Sequence, residues 1–156
     1  MKRFHWTGPG VGGLMLALAL AACGQEPGAR RLDPPVPAGV DVQVVLGEPA
    51  QTVTVAAGER FAVVTESTFS WREAERSGGL VPVTEATGAT DTNQTERGWT
   101  GGALWRVFVY EARDAGDESL TFEEVREWEP DNVLDVRRVV VTVTPESASP
   151  ASAEGR

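Results

Sequence analysis

The strongest constraint on this chain is a two-residue alternation of apolar and polar side chains, recurring in short runs between Val40 and Thr144. Successive side chains of a β-strand point to opposite faces, so such alternation marks strands with one face toward a core. Val40-Asp41-Val42-Gln43-Val44 shows it, and so does Val53-Thr54-Val55. Gly58 then supplies a turn before Arg60 to Thr65, and Phe69-Ser70-Trp71 starts an aromatic strand with Phe69 and Trp71 on one face. Ala103 to Ala112 is the clearest strand. Trp105, Val107 and Val109 share one of its faces, while Leu104, Phe108 and Tyr110 share the other with Arg106. Leu120 and Phe122 lie together in the next strand, and Val139, Val141 and Val143 lie together in the last, Val133 to Thr144. Glu118 to Glu129 is Glu-rich enough to suggest a helix, but its β-branched and aromatic residues, with Gly116 and Pro130 flanking it, fit a strand. Leu80-Val81-Pro82-Val83 contains a residue with no N–H for a ladder, so it belongs at a sheet edge. Thr87 to Gly98 is polar and rich in Gly and Thr, and reads as a loop. Several short strands with turn signals between them predict an all-β, antiparallel sandwich over residues 40–144.

The rare residues exclude most chemistry. The chain has one His, one Cys and one Tyr, and its only Lys is Lys2. Lys2, His5 and Cys23 all fall in the first 23 residues, which begin as an export signal does. Lys2 and Arg3 form a basic n-region, and Val11 to Ala22 an apolar stretch that ends in small residues. At about a dozen residues that stretch is too short for a lasting span of the roughly 30 Å hydrocarbon core. Removal of residues 1–22 leaves 12 basic and 23 acidic residues, a formal charge of −11. It also leaves no His and no Lys. A Ser-His-Asp triad, a Cys-His pair, a Lys Schiff base, a P-loop Lys and a His/Cys zinc site are then impossible. No metal site and no cofactor are expected. An acidic chain without a cationic patch is not expected to bind nucleic acid. With no second Cys there is no disulfide, so stability has to come from a packed core. A monomer that works by binding is expected, not an enzyme. A glycosidase-like pair of acids about 5–10 Å apart is the remaining catalytic reading, but no carboxylate pair stands in a recognisable motif. Asp114, Asp117, Asp131 and Asn132 read as turn residues.

Leu20-Ala21-Ala22-Cys23 resembles a bacterial lipobox, the signal at which lipoproteins are cleaved and their Cys acylated. The resemblance implies a diacylglyceryl and acyl lipid on Cys23, and an exported protein anchored to the cell membrane or outer membrane. More than one acyl chain gives stable anchoring. Gly24 to Gly39 holds Pro27, Pro34, Pro35 and Pro37, and reads with Cys23 as an extended tether. Residues 145–156 are small and polar, and read as a disordered tail.

The order of features from Val53 to Thr144 resembles the chagasin family of cysteine-peptidase inhibitors. Thr52 to Glu59 is similar to that family's opening strand and turn. Phe69-Ser70-Trp71 is similar to the aromatic-x-Trp that follows its first loop, and Gly98-Trp99-Thr100-Gly101-Gly102 to the GxGG of its second. Arg126-Glu127-Trp128 is similar to the Arg-Pro-Trp of its third, and Arg137 to Val141 to its last strand. The resemblance implies an immunoglobulin-like β-sandwich whose three loops, at one end, enter the active-site cleft of a papain-like peptidase. It places Glu66, Ser67, Thr68 and Phe69 at the centre, Trp99, Thr100, Gly101 and Gly102 on one flank, and Arg126, Glu127 and Trp128 on the other. The sequence departs from the family at identifiable points. The first loop aligns near Val64 to Thr68, has no Asn-Pro, and carries Thr68 in place of Gly. A positive φ is costly there, so the loop is expected to take another path. Glu127 stands where the family has Pro. Local readings stand beside the implied contacts. Gly101-Gly102 serves either a tight turn or a partner contact. Trp128 is either exposed in a loop or a core aromatic, and Trp99 is the best exposed anchor. Trp71 belongs in the core. Arg126 pairs with a partner carboxylate, with Glu124 or with another neighbour. The alternative to an inhibitor is a non-inhibitory envelope module that keeps the fold for binding or assembly.

Overall fold

A computed structural model describes residues 28–98 and 101–145. The leader, Cys23, Trp99, Thr100 and the tail beyond Pro145 lie outside the described residues. The elements are β1 (Val42–Val45), β2 (Ala50–Ala56), β3 (Arg60–Ser67), β4 (Ser70–Arg76), β5 (Leu80–Ala89), a five-residue helix α1 (Thr92–Glu96), β6 (Leu104–Ala112), β7 (Gly116–Arg126) and β8 (Glu129–Thr144). They form two four-stranded sheets, ordered β1-β3-β6-β5 and β2-β8-β7-β4.

The alternation becomes the core. Phe61 and Val63 of β3 and Phe108 and Tyr110 of β6 face Leu120 and Phe122 of β7 and Val139, Val141 and Val143 of β8. Phe108 meets Phe122 across the sheets with ring centroids 5.0 Å apart, and Phe61 stacks on Tyr110 at 5.5 Å. Trp71 is buried among them as expected, with the Arg137 guanidinium 5.1 Å from its ring centroid. Glu118 to Arg126 is strand throughout. Pro82 lies in the edge strand β5, beside an irregularity between Pro82 and Thr84, where a missing N–H costs the ladder least.

Three expectations differ from the structure. The sandwich is not wholly antiparallel, because β1 pairs with β3, and β2 with β8, in parallel. Thr87 to Gly98 is not all loop: Thr87 to Ala89 continue β5 opposite Leu104 to Arg106, and Thr92 to Glu96 are helical. Finally, the stretch from Gly28 to Gly39 is extended but does not stand free of the domain. Trp105, Val107 and Val109, with Ala62 and Val64, form a second buried cluster on the outer face of the first sheet, and Val36 and Val40 pack on it. The indole Nε1 of Trp105 donates to the Leu32 carbonyl at 2.9 Å, and the Leu32 N–H donates to the Thr90 carbonyl at 2.8 Å. Gly88 makes room for the strap, since a Cβ there would stand 3.0 Å from Cγ of Pro35.

Tyr110, the only tyrosine, is 1% exposed, and its hydroxyl donates to Oε2 of Glu73 at 2.6 Å. Burial, and then the neighbouring Glu73 carboxylate, push its phenol well above the ordinary range. An unfolded Tyr ionises near about pH 10. Above that pH the folded chain holds a proton that the unfolded chain releases, so this stabilisation is present below about pH 10 and is lost as the pH rises further. In an alkaline titration the ultraviolet band of phenolate is expected to appear only as the folded circular-dichroism signal disappears. Phenolate in a still-folded protein near pH 10 would contradict this burial.

Candidate partner-binding end

Three connections meet at one end of the sandwich. The link from β3 to β4 crosses between the sheets through Thr68 and Phe69 alone. Ser67 shapes it: its hydroxyl accepts from the Phe69 N–H at 2.8 Å and donates to the Glu124 carboxylate. Among the described residues no non-glycine has positive φ, so Thr68 does not take the left-handed conformation. The five-residue first loop is shorter than expected. Val64 and Thr65 are buried in β3 opposite Val107 and Arg106. Glu66 sits on β3 opposite Trp105, and both of its oxygens accept from the Arg31 guanidinium, the longer bond being 3.1 Å.

The link from α1 to β6 is stapled by a residue the motifs did not single out. Asp91 caps α1, accepting from the N–H of Asn93 at 2.8 Å and of Gln94 at 3.2 Å. Gln94 then reaches across the loop: its Oε1 accepts from the Thr90 N–H at 2.6 Å, and its Nε2 donates to the Ala103 carbonyl at 2.8 Å. An Asp followed three positions later by Gln is the spacing of a helix-capping pair, the signal that would have marked this helix. Gly98, Gly101 and Gly102 all have positive φ, at 63°, 99° and 92°. Gly101-Gly102 therefore has the turn-making role whether or not a partner touches it. Gln94→Ala removes the staple and leaves the Ala103 carbonyl with Thr90 Oγ1 as its side-chain donor. A loss of about 1–2 kcal/mol is expected, read as a lower urea midpoint with faster amide exchange over residues 98–103.

The third connection is the tight turn Glu127-Trp128, flanked by the pair Arg126–Glu129. Three residues of β8, Pro130 to Asn132, follow that pair before pairing resumes at Val133. Trp128 is 71% exposed, which settles its two readings. Its ring meets Phe69 edge-on at 6.4 Å, and the Arg126 guanidinium lies 5.6 Å from the Phe69 ring centroid. Arg126 pairs with Glu129 at 3.1 Å, not with Glu124. The Glu129 carboxyl is held below its ordinary range by Asn132 and then Arg126. That arrangement is complete at neutral pH and is lost as the pH falls through the lowered value. The Ser70 hydroxyl donates to Oε1 of Glu127 at 2.6 Å, tying the third connection to the first.

The three connections enclose one groove of about 510 Å³. Ser67, Thr68 and Phe69 line it from the first, Gly101 and Gly102 from the second, and Glu127 and Trp128 from the third, with Ser70, Ala89, Gln94 and Leu104 completing it. Glu66 and Arg126 stand beside the groove, not in its lining, and Trp99 and Thr100 fall outside the described residues. No group of three metal-ligating side chains occurs among the described residues.

The chain matches no protein-family model and no curated protein sequence. Its fold does match solved structures. The cysteine protease inhibitor EhICP2 from Entamoeba histolytica superposes with a TM-score of 0.52 at 14% identity, over 66% of this chain and 96% of that one. Amebosin superposes with a TM-score of 0.53 at 20% identity, over 66% of this chain and 97% of that one. The chain has the β-sandwich fold of cysteine protease inhibitors of the chagasin type.

Proposed function

We propose that the protein is a membrane-tethered inhibitor of papain-like cysteine peptidases, anchored through an acylated Cys23 and binding through the groove end. The observation that carries this reading is the meeting of three connections around one groove, with an exposed Trp128 at its rim. The end is also preorganised. Ser67–Glu124, Ser70–Glu127, Arg126–Glu129 and the Gln94 staple fix the loops before a partner arrives, which lowers the ordering cost of association. The charge of −11 on the mature chain favours a basic partner. The test is titration of a soluble 24–156 fragment against papain and a cathepsin. Progressive loss of peptidase activity is expected. No inhibition at tens of micromolar by a folded fragment would remove those peptidases as targets.

One observation favours the second reading, a non-inhibitory envelope binding module. Strand pairing runs to Ser67, so only Thr68 and Phe69 remain to enter a cleft. Affinity capture from envelope extracts separates the two readings: a peptidase supports the first, and a structural complex without one supports the second.

A further inference from the structure

The chain enters the sandwich at its groove end. Arg31 bridges to Asp91 and holds Glu66, the residue before Ser67. The Thr92 N–H donates to the Arg30 carbonyl at 2.9 Å, beside the helix that carries Gln94. From there the strap runs down the outer face of the first sheet, past Gly88, to Asp41, whose N–H donates to the Arg60 carbonyl at the opposite end. The last strand finishes at that opposite end too, with Thr144 beside Ala56. The Arg31 guanidinium lies 4.9 Å from the Trp105 ring centroid, and together with the Trp105–Leu32 bond it fastens the strap at the groove end.

This changes what the tether does. A spacer free as far as Gly39 would have sixteen peptide steps after Cys23, a reach of about 55 Å, and would attach at the end away from the groove. The docked strap leaves seven steps, Cys23 to Arg30, a reach of at most about 25 Å, and attaches beside the groove. We propose that the groove end is held facing the bilayer, so that the partner it takes is a protein held at the same membrane surface. This rests on the anchoring of Cys23 proposed above. A globular peptidase of roughly 220 residues is about 44 Å across by the usual size scaling, wider than the leash. A globule of that size does not fit between the groove and the bilayer, so it has to meet the groove edgewise along the membrane surface, where a protein fixed to the same surface already lies.

Orientation is measurable without any partner. The mature acylated chain is reconstituted in vesicles with acceptor-labelled lipid headgroups, carrying a donor dye at Glu96→p-azidophenylalanine or at Asp114→p-azidophenylalanine. Both positions are exposed, Glu96 at the groove end and Asp114 at the other. They are separated by about the 30 Å length of the nine-residue β6. Strong energy transfer from position 96 and weak transfer from position 114 are expected. Insertion of twenty Gly-Ser residues between Gly28 and Ala29 is expected to remove most of that difference, with unchanged circular dichroism. Equal transfer from both positions, greater transfer from position 114, or a difference that survives the insertion overturns the proposal. If mass spectrometry finds Cys23 unacylated, the anchoring reading fails by itself. A maleimide lipid coupled to that thiol then decides the geometry by the same comparison. The papain titration bears on neither result.

Discussion

A fragment beginning at Val40 is expected to unfold at a markedly lower urea concentration than one beginning at Gly24. The alternation alone would draw the domain boundary at Val40, but the strap upstream covers the outer face of the first sheet. Val64, Val107 and Val109 are at most 2% exposed and Trp105 is 6% exposed, and Val36 and Val40 pack on their cluster. Removing residues 24–39 returns part of that face to water, at about 25 cal/mol for each Å² of apolar surface. It also leaves the Trp105 indole N–H without its protein acceptor, at a cost of about 1–3 kcal/mol if it stays buried. A total loss on the order of 4 kcal/mol is expected from these terms, a large part of the roughly 5–15 kcal/mol that holds a domain together. Gly88→Val probes the same contact without truncation, because its side chain meets Pro35. Indole fluorescence should shift to the red in both variants, and equal urea midpoints for the two fragments would show that the strap contributes nothing.

Trp128→Ala is expected to weaken peptidase inhibition by about 30-fold, or roughly 2 kcal/mol, while the melting temperature stays nearly unchanged. The two halves of this expectation have one cause. Among the described residues Trp128 is the largest exposed apolar side chain at the groove, so the folded state gains little from it and a partner has much to gain by covering it. Its contact with Phe69, itself under the Arg126 guanidinium, limits the freedom lost on binding. An exposed substitution away from caps and networks changes stability by less than about 0.5 kcal/mol. Full inhibition by the alanine variant would remove Trp128 from the interface, and a large drop in melting temperature would contradict its exposure.

Much of the fold was legible because a strand's period is local. Phe108 and Tyr110 on one face, and Trp105, Val107 and Val109 on the other, mark β6 as buried on both sides. What covered the second face was not legible. The strap has no period, and its prolines suit an extended spacer and a docked strap equally well. Composition alone makes Thr87 to Gly98 a loop, because the signal of α1 lies in the Asp91–Gln94 spacing. At the groove end, local chemistry offered the turn role of Gly101-Gly102 and the exposure of Trp128 each as one of two readings, and the positive φ of the glycines and the 71% exposure of Trp128 chose between them. Gln94 and the shortness of the first connection were not legible, because they depend on where β3 stops pairing with β6.

The sequence by itself determined that this protein is a β-sandwich and that the chain after Cys23 carries no His, no Lys and no further Cys. Those properties rest on residue identity and on a repeat two residues long. Only the tertiary structure decided that three connections share one groove and that the strap joins the domain beside it. The pairs that make this so, Arg31–Glu66, Ser67–Glu124 and Ser70–Glu127, are 35, 57 and 57 residues apart. Such contacts follow from the order in which strands lie in their sheets, and a local period says which face of a strand is buried but not which strand lies beside it.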